Sequence, residues 1–380
     1  MRPDLNKLVP SRIAGILLVV TAAITGVLLH YGIISMAPFF EAQTASVVTA
    51  LPSGSLLSRL FPDNQGLLAF GSIPYWDQDR AVRVFKENVE KFDIISLFWY
   101  RLEEDGTINP YSGAEIDSSL IEYAHANNVK VLALISNLPE DGDWDPERVD
   151  AVIDSPDSRA RHIAEIVALV EEHNFDGVNI DYEFLLNRQK NEFSAFIEDL
   201  SRELHLRNKI VAVAIHAHEP GSTKRGQDVR AIAQHADILA VMAFDEHWQS
   251  AAPGPIASIE WVRGVLEYIL SRGVDPKRVF LCIPLFGYDW TQGIERADGL
   301  EYTDVVRVAN REKEALVQYD EGLEQPHFIY TDARGNKHDV WFENARSFEA
   351  KLELAKELDI AGLAFWRLGG EDDRIYELLE

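Results

Sequence analysis

The chain has 380 residues, 47% hydrophobic and 26% charged, proportions of a globular protein that exclude collagenous, disordered and low-complexity classes. A formal net charge of -26 excludes nucleic acid as a natural partner, because a surface of that sign repels phosphate. The single cysteine, Cys282, excludes an intramolecular disulfide and, inside the apolar run VFLCIPLF, reads as a packed thiol.

From the N-terminus, no Asp, Glu, Lys or Arg occurs between Ile13 and Phe40, and the run ILLVVTAAITGVLL with its continuation suffices to span a bilayer. Arg2, Lys7 and Arg12 precede it, so the positive-inside rule predicts a cytoplasmic tail over 1–12, a transmembrane signal anchor over 13–36 and everything later outside the cytoplasm, periplasmic or extracellular. A cleaved signal peptide ending near Ala50 is the rival reading, against which stands a run longer than the usual apolar core of such peptides. Residues 37–65 lack a sustained period and read as a linker.

From Gly66 onward eight short apolar runs alternate with amphipathic ones: LLAFGSIPYW, FDIISLFWY, KVLALIS, GVNIDYEF, IVAVAIHA, DILAVMAF, VFLCIPLFGYDW and IAGLAFWRLGG. Helical spacing lies between many of them, as in SRARHIAEIVALVEEH. Parallel strands joined by right-handed helical crossovers follow, and eight of them predict an α/β fold of the closed (β/α)8 TIM barrel type over 66–380. An open doubly wound sheet is the fallback, but no glycine fingerprint follows the first run. Residues 291–340 are too long for a βα loop and carry the strand-like pieces HFIYTD and HDVWFE around a turn at 333–336, which predicts a small inserted α+β subdomain after strand seven.

The fourth run poses the chemical question. In FDGVNIDYEF, alternation along a strand turns Val178, Ile180 and Tyr182 toward the helices and Asn179, Asp181 and Glu183 into the barrel. Acids inside a barrel are costly unless hydrogen-bonded or near the mouth, and the C-terminal strand ends are where barrel enzymes place catalysis. Asp176 is out of phase with this series, so any part it plays is a supporting one. Trp76, Trp99, Tyr100, Trp248, Trp290 and Trp366 also fall near predicted strand ends, where aromatic faces stack on sugars or simply pack. His216 and His218 with Glu219, and His247, form no complete metal-ligand set; neither metal nor cofactor is required by the pattern.

Together these segments resemble glycoside hydrolase family 18, the chitinase-like family. The match on the fourth strand is Asp176, Asn179, Asp181 and Glu183, with Asn179 where the family has its middle Asp. MAFDEHW supplies Met242, Phe244 and Asp245 for the Met-x-Tyr-Asp segment, LFGYDW supplies Tyr288, and AFWRLGGED supplies Trp366 for the aromatic floor. The variations look most like the peptidoglycan-lytic and polysaccharide-processing branches. The resemblance implies a retaining mechanism in which the substrate's acetamide is the nucleophile. Glu183 would be general acid and then base, Asp181 would orient the acetamide with Asp176 in support, and Asn179, Met242, Phe244, Asp245, Tyr288, Trp366, Trp99 and Tyr100 would contact sugar. Two departures stand out: LISNLPE replaces the Ser-x-Gly-Gly motif, and Phe244 lacks the hydroxyl that holds the acetamide oxygen, for which Tyr288 or Tyr100 is the candidate substitute. The reading is a membrane-tethered hydrolase of β-linked N-acetylhexosamine polymers, peptidoglycan or exopolysaccharide ahead of chitin; the alternative is a non-hydrolytic glycan-binding protein on the same barrel.

Overall fold

A computed structural model describes residues 56–61, 66–219, 226–312 and 315–379. The predicted tail, the anchor over 13–36 and most of the linker lie outside the described residues. Among the described residues no helix is long and apolar enough to cross a membrane.

The chain opens with a short helix, α1 (Leu56–Leu60), followed by β1 (Leu68–Pro74), α2 (Gln78–Glu87), β2 (Ile94–Leu102), β3 (Ile108–Pro110), α3 (Ser118–Ala126) and β4 (Lys130–Ser136). Helices α4 (Pro146–Ile153) and α5 (Pro156–Glu172) lead to β5 (Gly177–Asp181), then α6 (Lys190–His205), β6 (Ile210–His216), α7 (Val229–Ala233), β7 (Ile238–Met242), α8 (Ile259–Ser271) and β8 (Val279–Pro284). All eight apolar runs are strands. In the order β1-β14-β8-β7-β6-β5-β4-β2, with β14 at Gly362–Trp366, they form parallel pairs, and pairing of β1 with β2 closes the ring. Helices cover the outer faces, so both faces of each strand are buried and the strands read as continuous apolar runs rather than alternating ones.

The helix starts follow local chemistry. Asp145 and Ser155 accept backbone N–H groups ahead of Pro146 and Pro156, and each proline occupies a first-turn position that needs no donor.

The lower end of the barrel is closed by α1. Leu56 and Leu57 are buried with Leu68, Phe70, Ile94, Ile210, Ile238 and Phe280, so the stretch expected to be linker contains a packed helix at Leu56–Leu60. Above this floor three aspartates repeat one arrangement. The carboxylates of Asp93, Asp176 and Asp237 accept the backbone N–H of Ala69 (2.8 Å), Val131 (2.9 Å) and Val211 (2.9 Å) in the neighbouring strand. Each aspartate's own N–H donates to the carbonyl of the same partner residue. They pin strand entries at the N-terminal end of the barrel.

The insertion begins earlier than position 291. The N–H of Leu285 donates to Trp366 O (2.7 Å), and the chain then leaves the barrel as β9 (Phe286–Thr291). It continues through β10 (Asp298–Glu301), α9 (Tyr302–Arg311), β11 (Gln318–Asp320), β12 (Gln325–Thr331) and β13 (Lys337–Phe342) before α10 (Ala345–Glu357). The five strands make an antiparallel sheet in the order β10-β9-β13-β12-β11. The Lys351–Glu343 ion pair, 2.9 Å long and almost wholly buried, fastens α10 to the end of this sheet.

Candidate active site

The fourth barrel strand, β5, alternates as its sequence dictates. Val178, Ile180 and Tyr182 are buried in the layer beneath the helices, where the Tyr182 hydroxyl pairs with His162 Nε2 at 2.7 Å. Gly177 allows β5 to lie close against β6: a Cβ there would stand 2.0 Å from Ile210 O. Asn179 and Asp181 enter the lumen and line a narrow pocket with Met242, Phe244, Cys282 and Trp366.

That pocket is short of hydrogen-bond donors. Asp181 is 5% exposed and its Oδ1 has no hydrogen-bond partner among the described residues; the same holds for Asn179 Oδ1, although Asn179 Nδ2 donates to Ser96 Oγ at 3.3 Å. Burial pushes the Asp181 carboxyl up to about 7, since the surroundings disfavour its charged form. Two buried, unpaired acceptors would each cost about 1–3 kcal/mol, which is the arrangement expected where a ligand N–H completes the bonding.

Glu183 lies two residues past the end of β5, with 13% of its side chain exposed. Its backbone is held by Asn137, whose Oδ1 accepts the Glu183 N–H (2.8 Å) and whose Nδ2 donates to the Glu183 carbonyl (3.0 Å). His216 Nε2 is 3.4 Å from Glu183 Oε2 and accepts the N–H of Phe184 at 3.1 Å. Phe184 has φ +54, in the left-handed region, and is half exposed beside Trp144.

After β7, Asp245 also has a positive φ, +62, and its Oδ1 accepts the Tyr288 hydroxyl at 2.8 Å. Tyr288 is therefore engaged with Asp245 in a small cluster with Trp290, Ile256 and Ala297 and is not among the residues lining the pocket. This corrects the expectation that its hydroxyl stands in for the one Phe244 lacks. Trp366, at the end of β14, does line the pocket, and its ring meets Phe98 (5.8 Å) and the half-exposed Trp76 (6.3 Å).

Trp99 and Tyr100 are a second correction. A β-bulge between Phe98 and Tyr100 inserts one residue into β2, so two consecutive side chains face outward. Both are buried, at 0% and 2% exposure, among the residues under the helices, and Phe98 holds the inward position instead. Asp176 is a third. It sits at the opposite end of β5 from Glu183, bonded to Val131 N–H, Lys130 and His125, and repeats the structural part played by Asp93 and Asp237. His216 and His218 are both buried, and among the described residues no group of His, Cys, Asp and Glu could hold a metal ion.

The barrel thus carries an acid at its mouth, a desolvated acid two residues earlier and an aromatic side chain, Trp366, on the pocket wall. The sequence matches the family described as glycosyl hydrolases family 18 over residues 72–372. The chain belongs to family 18. A cortical fragment-lytic enzyme of Bacillus subtilis (strain 168) is 26% identical over 284 residues, 72% of this chain and 64% of its own length. Among solved structures, the spore cortex-lytic enzyme SleL of Bacillus megaterium QM B1551 superposes with a TM-score of 0.75 at 26% identity, covering 84% of this chain and 74% of SleL. A chitinase from Chromobacterium violaceum ATCC 12472 gives 0.76 at 26% identity, over 83% of this chain and 98% of its own.

In this family 18 barrel, the residues sequence reasoning missed are Asn137, Phe98 and the Tyr111–Ser136 pair. The Tyr111 hydroxyl is 2.8 Å from Ser136 Oγ and donates to Leu138 O (2.7 Å), bracing the loop that carries Asn137. Asn137 stands in LISNLPE, and its signal was a buried-run asparagine immediately past a strand.

Proposed function

We propose that this family 18 glycosidase hydrolyses β-linked N-acetylhexosamine polymers, peptidoglycan or exopolysaccharide ahead of chitin, with retention and with the substrate's acetamide as nucleophile. The observation that carries this reading is the Asp181 carboxyl, buried with an unpartnered oxygen two residues before the acid at the barrel mouth. Glu183 gives its proton to the glycosidic oxygen as the C1–O bond breaks. The acetamide oxygen closes on C1, and the positive charge of the resulting oxazolinium ion spreads onto the acetamide N–H. Asp181 Oδ1 accepts that N–H, and in a dry pocket the interaction is far stronger than in water. Glu183, now a carboxylate, takes a proton from the water that attacks C1, the C1–O bond of the oxazolinium ring breaks to regenerate the acetamide, and Glu183 is returned to its starting form. Trp366, with Trp76 and Phe98 behind it, offers a face for a sugar ring. The family 18 relatives named for lysis of spore cortex support peptidoglycan as the substrate class.

The apolar run over 13–36 and the basic residues before it support attachment of the enzyme to a membrane, with the barrel outside the cytoplasm. The purified barrel, incubated with peptidoglycan, N-acetylglucosamine oligomers and poly-N-acetylglucosamine, should release reducing ends from at least one, and none from the same polymer after complete removal of its N-acetyl groups. Cleavage of the de-acetylated polymer at an equal rate would reject the acetamide as nucleophile. Binding without cleavage of any polymer would make the protein a glycan-binding member of the family. A mature N-terminus near Leu51 would reject the anchor.

A further inference from the structure

The last ladder pairs of β5 are Ser136 with Asp181 on one side and Ile180 with Val213 on the other, so the Glu183–Phe184 backbone lies beyond the sheet. Its polar groups still require partners. On the β4 side Asn137 is 0% exposed and takes both the N–H and the carbonyl of Glu183. Asn137 is itself fixed: its Nδ2 also donates to Asp145 O (3.0 Å), and Asp145 N–H returns to Asn137 O (3.2 Å), at the residue that caps α4. On the β6 side His216 Nε2 accepts the Phe184 N–H, which requires a lone pair there and places the neutral ring's proton on Nδ1. Gln227, also buried, holds the end of β6 by accepting His216 N–H (3.1 Å) and donating to Ala214 O (2.9 Å). Between the two clamps Phe184 keeps a left-handed conformation that a non-glycine residue holds only where the surroundings impose it.

We propose that Asn137 and His216 are positioning residues that grip the Glu183–Phe184 elbow from opposite strands and so fix where the Glu183 carboxyl stands. The inference rests on the reading of Glu183 as the acid. General acid catalysis needs its donor placed to within about 0.5 Å, and a misplacement of about 1 Å can cost a hundredfold in rate.

The test uses Asn137→Ala, Asn137→Asp, His216→Phe and His216→Gln, with a fluorogenic N-acetylglucosamine oligomer as substrate and a thio-linked, uncleavable N-acetylglucosamine oligomer as ligand. Asn137→Ala and His216→Phe should lower kcat about a hundredfold while KM and thio-oligomer affinity stay near parental. His216→Gln, whose side-chain oxygen can accept the Phe184 N–H, should regain at least about tenfold over His216→Phe, and Asn137→Asp, which keeps only the acceptor, should fall between alanine and parent. A near-parental kcat in Asn137→Ala and His216→Phe, or a glutamine variant no better than phenylalanine, would overturn the proposal. If the parent cleaves nothing, the functional reading has failed, and the clamp is read from amide hydrogen exchange instead. Glu183 and Phe184 amides that exchange faster in the variants sustain it; rates equal to the parent's overturn it.

Discussion

Replacing Asp181 by asparagine should make the protein more stable at alkaline pH and less active everywhere. The carboxyl moves from 3.8, its ordinary value, to about 7 in the folded chain because burial strips its charged form of water. That displacement corresponds to about 4 kcal/mol of unfavourable burial of the charged form. Between the two values the folded chain keeps a proton that the unfolded chain has released. Asp181 therefore contributes stability that is fully present below about pH 4 and is lost as the pH rises through about 7. Asparagine titrates nowhere in that range, so the variant should gain on the parent by up to about 4 kcal/mol between about pH 4 and pH 8. Urea unfolding of both proteins at about pH 4, 6 and 8, extrapolated linearly to water with m-values compared, measures the swing. Turnover should fall by about 10²–10³, the loss typical of removing one preorganised partner of developing charge. A stability difference that stays flat with pH, or moves against the variant as the pH rises, would refute the argument that Asp181 sits desolvated and unpaired.

Glu183→Gln keeps the shape of the acid without its proton and should reduce hydrolysis by about 10²–10⁴ while thio-oligomer binding survives; turnover within a few-fold of the parent would remove Glu183 from the mechanism. Trp366→Ala should weaken sugar binding by about 1 kcal/mol, whereas Trp99→Phe, under the helices, should leave KM unchanged and lower only the unfolding midpoint; titration with the thio-oligomer and a thermal melt separate the two. Lys351→Ala leaves Glu343 buried without its cation and should cost about 3–5 kcal/mol in urea unfolding, and the double substitution Lys351→Met with Glu343→Leu should recover most of it.

The barrel was legible because parallel strands buried on both faces leave apolar runs, and the acids at 181 and 183 stood out because a barrel lumen otherwise holds none. Alternation, however, counts one residue per step: it does turn Trp99 outward with Ile95 and Leu97, but the bulge there sends Tyr100 to the same outer face, which no period could forecast. In VFLCIPLFGYDW the apolar and aromatic residues resume on both sides of Pro284 and Gly287, so these two breakers, read as minor irregularities of one strand, are the only mark that the chain changes sheets at Leu285. Asp176 falls inside the family's motif, and the resemblance alone implies a supporting part in the chemistry. The pairs Phe92-Asp93, Phe175-Asp176 and Ala236-Asp237, all immediately before a strand, share one backbone-pinning arrangement that explains Asp176 structurally. Asn137 is marked only by its place just past a strand; the partner that gives it a role is a backbone 46 residues away, and such a bond leaves no local trace.

The floor of the barrel sets a rule for handling this enzyme. The family match starts at residue 72, yet Leu56 and Leu57 cover the lower ends of strands that include Leu68, Ile94, Ile210 and Phe280. A fragment begun at the match boundary would lose Leu68–Gly71, the part of β1 that pairs with β14, along with α1, and its opened, wetted apolar floor would tend to self-associate. A protease that frees the barrel in a monodisperse form must therefore cut ahead of Leu56, and a cut between α1 and β1 would release a particle with an open, sticky base.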